Sequence, residues 1–230
     1  MPKKILVAGI GLLLIVFSGL AFFSFLLGPT HGSGIAGYQE PRKALLVIDM
    51  QEDYLGKTAR PPFPYKHAGI LVNRVNDLIG ILRKRGFLII YVRQEFEGLV
   101  GRTIAKVISN GSAVKGAPGT SVDSRLVIKP DTSFGKPKGD SFSNPDFERY
   151  CIKNNINELV LCGLDGEFCI YHTIIGAADR GYKVSVVKDA VAFKNERKKE
   201  TLFSKYEKHG CRLLTYEELT ATEAPDNSNE

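Results

Sequence analysis

The sequence predicts an α/β fold: a three-layer αβα sandwich around a mainly parallel sheet, of Rossmann-like type, preceded by one transmembrane helix. Three observations carry this expectation. Compact apolar runs without alternation (KALLVIDM at 43–50, FLIIYV at 87–92, ELVLC at 158–162) read as strands buried on both faces. Between them lie longer stretches with apolar residues three and four apart, so the chain reads as successive right-handed βαβ units. Ahead of both, residues 5–27 run without a charged side chain and are long enough to cross roughly 30 Å of hydrocarbon as a helix.

In chain order, residues 1–28 are the expected anchor. Lys3 and Lys4 precede its apolar core as in a signal peptide, but such cores span about 7 to 15 residues and this one is longer, which favours an uncleaved anchor. The alternative is secretion after cleavage near Gly34, Ile35 and Ala36, a small-x-small pattern. Lys3 and Lys4 favour a cytoplasmic N-terminus and an extracytoplasmic domain, while Arg42 and Lys43 on the other flank oppose it. Residues 29–42, rich in Gly, Ser and Pro at their start, read as a short flexible linker.

The domain is expected over 43–219. The first strand ends in Asp49; a helix over 67–85 carries Ile70, Leu71, Val75, Leu78, Ile79 and Leu82 on one face and closes at Gly86. After the strand at 87–92, the Gly-rich segment 93–124 has the length of a functional loop that roofs a site. A short strand is expected at 125–128 and a helix from Pro145, after the capping residue Asn144, to Asn154. Then follow the strand 158–162, a helix over 167–180 closed by Gly181, a strand at 183–187, a basic helix over 196–208 and a last strand at 211–214. Residues 220–230 are polar and acidic, and read as a frayed tail.

A chain of 230 residues with 43% hydrophobic and 24% charged residues holds one ordinary domain plus an appendage. Its formal charge of +6 falls to +4 without Lys3 and Lys4, and the remaining basic residues are scattered, so nucleic-acid binding is not indicated. The densest cluster, Lys194, Arg197, Lys198 and Lys199, interleaves with Asn195, Glu196 and Glu200 and reads as a solvated helix face. Cys151, Cys162, Cys169 and Cys211 lack the spacing of a zinc or redox site; on an exported domain a Cys151–Cys211 disulfide stays open. A small-molecule substrate is the expected partner, with the membrane held through the N-terminal helix and self-association left open.

The chemistry concentrates at strand ends. Asp49 closes the first buried strand and Cys169 opens a helix just past the strand ending at Cys162, so both fall at the ligand-binding edge of a parallel sheet. A thiol in a first helical turn feels the positive end of the helix dipole, which would bring its pKa from about 8.5 toward neutrality. Taken singly, a cysteine is more often a small core hydrophobe and a strand-end acid more often a turn cap.

Four segments in order resemble the isochorismatase-like cysteine hydrolases, over residues 43–215. LLVIDMQEDY at 45–54 resembles the family's opening strand, with Asp49 at its catalytic Asp. Pro118, Gly119 and Thr120 resemble its PGT element. KPKGDSF at 136–142 places Lys136 six residues before Phe142, as the family places its catalytic Lys, with Lys138 the fallback. GLDGEFCIYHT at 163–173 is similar to its nucleophile turn, with Cys169 at the nucleophile position. Gly166 stands where the family often has Thr, which puts the rigidity of the turn in question.

The resemblance implies an amidohydrolase with an Asp49, Lys136 and Cys169 triad. It also implies a cis peptide between Leu164 and Asp165, with backbone N–H groups of Asp165 and Cys169 forming an oxyanion hole. The implied reaction is cleavage of an amide or ureido C–N bond through a thioester on Cys169. No cofactor is expected. Nicotinamidases of the family bind a divalent metal near the catalytic Asp, but this chain offers there only Asp53 and the distant His67, so no metal is expected either. Tyr54, Phe63, Phe96, Phe168 and Tyr171 are candidate pocket walls, Arg93 a candidate receiver for a substrate carboxylate, and His172 reads as a packing residue. Competing readings are a non-catalytic membrane-tethered binding or scaffold domain of the same fold, isochorismatase-type ether hydrolysis, and redox sensing through Cys169.

Overall fold

In a computed structural model of the protein, which describes residues 28–63 and 65–221, six strands form one sheet: β1 (Arg42–Ile48), β2 (Leu88–Gln94), β3 (Thr132–Lys136), β4 (Ile156–Gly163), β5 (Lys183–Val191) and β6 (Arg212–Leu214). Their order is β3-β2-β1-β4-β5-β6 and every pairing is parallel. Leu46 lies between Ile90 and Leu161, so the apolar runs of β1, β2 and β4 stack side by side in the middle of the sheet. Their backbones satisfy one another and their side chains are left to fill both faces.

Alternate residues go to opposite cores. Leu46, Ile48, Ile90 and Leu161 face one core, closed by α4 (Pro145–Lys153), α5 (Tyr171–Asp179) and α6 (Lys199–Lys208). Leu45, Val47, Ile89 and Val160 face the other, closed by the short α1 (Glu52–Leu55) and mainly by α2 (Ala68–Lys84), which buries Leu71, Val75, Leu78, Ile79 and Leu82. The sandwich is three-layered. Because the chain winds outward in both directions from β1 and β4, the segments after those two strands part from each other, and a crevice opens at their carboxyl ends.

Several elements depart from the sequence expectation. Segment 93–124 contains a helix, α3 (Gly98–Ile108), besides a short helical turn at Pro118–Thr120. The apolar residues of α3, Leu99, Val100, Ile104, Val107 and Ile108, do share one side, but they stand among the glycines of a segment that reads as a loop; in the fold only Ala105 is buried, while Leu99 and Val107 are 85% and 74% exposed. The expected strand at 125–128 does not form. Asn76 takes the Arg125 carbonyl and the Val127 N–H, and Arg125 folds onto Asp123, so the backbone groups a strand would pair are already used. The third strand is Thr132–Lys136 instead.

The linker is not a free spacer. The Thr30 N–H and hydroxyl donate to Asp140, the Gly32 N–H donates to Asp179, and Arg180 donates to the Thr30 and His31 carbonyls while the Ile35 N–H returns to its own carbonyl. Thr220 and Ala221, expected in the tail, end a short helix α7 (Tyr216–Ala221), where the Leu219 and Thr220 carbonyls accept from Arg85. All four cysteines are free, so the Cys151–Cys211 pairing is not made. Among the described residues no helix is long and apolar enough to cross a membrane; the apolar run 5–27, and the tail from 222, lie outside the described residues.

The docked linker should contribute to stability, because its removal strips Asp140, buried in the protein, of two hydrogen bonds. A chain starting at Gly37 should be less stable to urea than one starting at Gly28 by about 2 kcal/mol. Equal midpoints would show that the docking is energetically idle.

Candidate active site

Asp49 is the first residue past β1, held at a φ of 54° that Asp tolerates better than most side chains. Its N–H donates to the Val92 carbonyl at 2.8 Å, which ties it to the end of β2. Gln51 completes that tie. Its side-chain amide donates to the carbonyls of Gln94 and Thr120, and its Oε1 accepts the Gln94 N–H at 2.8 Å. Asp-Met-Gln is thus a structural unit as well as a chemical one: the Gln welds two strand ends to the Pro118–Thr120 turn.

Lys136 ends β3 and is 0% exposed. Its ammonium lies 3.0 Å from Asp49 Oδ2, 2.7 Å from Gln94 Oε1, 3.3 Å from the Lys138 carbonyl and 3.2 Å from Cys169 Sγ. Gln94 also donates its amide to the Lys136 carbonyl at 3.0 Å, so one side chain grips Lys136 at both ends. Lys138 offers its carbonyl oxygen to that ammonium, and it is Lys136, not the fallback Lys138, whose ammonium touches Asp49 and Cys169.

Cys169 sits in a π-helical turn, Gly166–Ile170, that runs into α5. The Leu164–Asp165 peptide before it is cis. Asp165 ties this turn down: Oδ1 accepts from the Glu167 N–H, and Oδ2 from the Tyr65 hydroxyl at 2.9 Å and the Lys194 N–H at 2.8 Å. The Asp165 N–H donates to no protein acceptor among the described residues and is left for a ligand.

The titration order differs from the dipole argument. Burial, and next the charge of Asp49, push the Cys169 thiol well up, against the opposing pull of Lys136. Burial raises Asp49 too, with Lys136 opposing, while for Lys136 burial is outweighed by the negative charges beside it and the cation is held. One buried cation balances one anion. Charge balance leaves one anion between Asp49 and Cys169, and the thiol is raised where the helix-dipole argument expects it lowered.

A cavity of about 360 Å³ opens over these groups. Tyr54, Phe63, Tyr65, Phe96, Leu164 and Phe168 make its walls, Ile108 and Ser109 come from the end of α3, and His172 and Lys194 also line it. Tyr171, an expected wall, and Arg93, the expected receiver of a substrate carboxylate, are not among its lining. Tyr171 is two positions past Cys169, about 200° around a helix, and stacks on Tyr206 with its hydroxyl 3.3 Å from His209. Arg93 points off the sheet face opposite to Gln94 and pairs with Glu95 at 2.9 Å. His172, read as packing, lines the cavity, as its spacing of three from Cys169 allows. Gln94, Tyr65 and Lys194 carried no sequence signal, because each is brought in by strand register or a loop.

Asp53 is committed elsewhere: Oδ1 accepts from the Thr58 hydroxyl and Oδ2 from the Ala113 N–H, both at 2.8 Å. A Cβ at Gly119 would lie 1.7 Å from that carboxylate, which is why the turn needs glycine. His67 is exposed at the start of α2, and no cluster of metal-binding side chains occurs among the described residues.

Gly166, the departure from Thr, is explained by packing. A Cβ there would lie 2.3 Å from the Phe193 ring, which occupies the volume a Thr side chain would take. The turn is fixed by other bonds, from the Gly166 N–H to the Ala192 carbonyl at 2.9 Å and from the Tyr206 hydroxyl to the Gly166 carbonyl. Gly166→Thr should therefore cost about 1 to 3 kcal/mol as an overpacked substitution. Adding Phe193→Ala should recover part of the loss in urea unfolding; strictly additive losses would show that the ring is not the obstacle.

Comparison with known proteins agrees with this architecture. The sequence matches the isochorismatase domain over residues 43–218. An uncharacterised isochorismatase family protein of Bacillus subtilis is 30% identical over 151 residues, covering 65% of this chain and 77% of its own. A protein of Arabidopsis thaliana named as a probable inactive nicotinamidase is 27% identical over 159 residues, covering 65% and 80%. Among solved structures, N-carbamoylsarcosine amidase from Thermoplasma acidophilum superposes with a TM-score of 0.65 at 24% identity, over 77% of this chain and 98% of that one.

Proposed function

The chain belongs to the isochorismatase family of hydrolases, and from that premise we propose that it cleaves an amide or ureido C–N bond of a small molecule through a thioester on Cys169. The observation that carries the reading is the position of Lys136, whose ammonium touches both Asp49 Oδ2 and Cys169 Sγ. A buried cation placed between an acid and a thiol lets a proton pass from sulfur to carboxylate without changing the net charge of the site. The amidases among its structural relatives are consistent with this chemistry.

In the proposed cycle Asp49 takes the Cys169 proton as the sulfur attacks the carbonyl carbon. Lys136 then holds the negative charge as it moves from oxygen to sulfur. The free Asp165 N–H, with that of Cys169, receives the carbonyl oxygen as it becomes an oxyanion, a contribution of about 3 to 4 kcal/mol per donor in comparable sites. Protonated Asp49 gives its proton to the departing amine, and then takes one from the water that releases the acid. In this cycle the thiol, raised by burial, keeps its proton until Asp49 takes it during attack, so unproductive alkylation is suppressed.

The proposed location is a membrane, through residues 5–27, with the domain outside the cytoplasm. Docking of Thr30 to Ile35 on Asp140, Asp179 and Arg180 supports an intact N-terminal segment over cleavage after Ala36, which would discard those contacts.

Ammonia release from a panel of small carboxamides and ureido acids tests the proposal. Cys169→Ala should abolish it, and Lys136→Met should lower kcat/KM by at least about 100-fold. The acid limb of kcat/KM should lie above 3.8, since burial raises the carboxyl that must be ionised to accept the thiol proton. Release that persists in Cys169→Ala would overturn the thioester route.

A further inference from the structure

The cavity over Cys169 is not closed on every side. Beyond Phe63 and Tyr65 it adjoins a second cleft of about 260 Å³, and three residues, Phe63, Tyr65 and Lys194, line both. The two spaces differ in chemistry. The inner one is walled mainly by aromatic and aliphatic side chains, whereas the outer one is bordered by Lys66, Lys194 and Arg197 against a single acid, Glu196.

None of these three cations makes an ion pair among the described residues, whereas the neighbouring Lys198 pairs with Glu167. The basic cluster that reads in sequence as one solvated helix face is therefore divided. Lys198 is paired within the protein and Lys199 lies over Phe203, away from the cleft, whereas Lys194 and Arg197 line it. Lys194 is the joint between the two spaces. Its N–H is fixed on the Asp165 carboxylate at 2.8 Å, and its ammonium lies 5.7 Å from the centre of the Phe63 ring.

We propose that the outer cleft is an anion subsite, and that the substrate is an elongated amide whose apolar body fills the inner cavity while a terminal carboxylate or phosphate rests among Lys66, Lys194 and Arg197. The proposal rests on the amidohydrolase reading above for its reacting end. The anionic end is argued independently, from three unpaired cations around one concave space. Two positive charges remain uncompensated there once Glu196 is counted against them, and a ligand anion is the complement that keeps that field from being purely repulsive. Phe63 and Tyr65, stacked with centroids 5.6 Å apart, form an apolar sill that a hydrocarbon or aromatic spacer can cross without losing contact.

The test uses the full-length chain and matched primary carboxamides with one body and three ends: methyl, carboxylate and phosphate. At low salt the anionic amides should have kcat/KM at least about tenfold above the methyl-ended one. The double variant Lys66→Met with Arg197→Gln should remove that preference through KM, with kcat retained, and leave the methyl-ended amide unaffected. Carboxylate and phosphate arms identify which anion is taken. A second readout separates this proposal from the chemical one: calorimetric binding of the same three amides to Cys169→Ala. If no amide is turned over but the anionic ones bind more tightly, and the double variant loses the difference, the subsite stands and the amidohydrolase reading fails. If the methyl-ended amide is hydrolysed as well as the anionic ones and binds as tightly, the anion subsite is overturned while the amidohydrolase reading stands. Equal binding of all three ends without turnover overturns the subsite as well.

Discussion

Two acids share one buried cation, and the rest of the site is arranged around that shortage of positive charge. Lys136 has no solvent exposure and meets Asp49 Oδ2, Cys169 Sγ, Gln94 Oε1 and the Lys138 carbonyl, four acceptors for three protons. A second anion in the same volume would be uncompensated, so Asp49 and Cys169 hold one negative charge between them. Whichever of the two is ionised, the other keeps the proton. This constraint makes the pair behave as a proton relay in the proposed reaction, and it makes Lys136 the group whose loss leaves a buried charge exposed to the full desolvation penalty.

Holding an ammonium in that position demands rigidity from three strand ends. Asp49 leaves β1, Lys136 closes β3 on the sheet edge, and the Cys169 turn follows β4, so the three groups belong to strands that are not all neighbours. Gln94, at the end of β2, is the spacer: it lies opposite Lys136 in register and grips its carbonyl and its ammonium. Gln51 in turn holds Gln94. A parallel sheet supplies this arrangement because its carboxyl ends fall on one side, and the change of winding between β1 and β4 leaves that side open.

What could be read from sequence was what depends on local pattern. The strands at 43–50, 87–92 and 158–162 are continuous apolar runs, and Asp49, Lys136 and Cys169 stand in short motifs whose spacing survives without knowledge of the fold. β3 was missed because it is an edge strand of mixed composition, TSFGK, and its neighbour at 125–128 carried the apolar residues while its backbone was claimed by Asn76. α3 is one-sided in sequence, but it lies inside a Gly-rich segment whose composition reads as a loop, and its apolar side is largely exposed in the fold. Tyr171 and Arg93 were misplaced by assuming that nearness in sequence to a site residue means facing the site, when two steps along a helix or one along a strand reverse the direction.

The Gly166 departure shows a different limit. Judged within its motif, a Thr exchanged for Gly looks like the loss of a turn-stabilising hydroxyl. In the fold the same exchange is a repacking, since Phe193, 27 residues later in the sequence, fills the vacated volume, and Ala192 and Tyr206 take the polar contacts of the turn. The segment that supplies Phe193 also supplies Lys194, whose N–H is held by Asp165 at the cis peptide. Asp165 thereby fixes three things with one carboxylate: the turn that carries Cys169, the aromatic wall through Tyr65, and the loop that brings a cation to the rim. Its carboxyl is buried and raised in pKa by that burial, and hydrogen bonds from Tyr65, Lys194 and Glu167 oppose the rise. A change at residue 193 or 194 therefore acts on the lining of the clefts and on the anchoring of the Cys169 turn together, because one short segment packs against Gly166 and is held by Asp165.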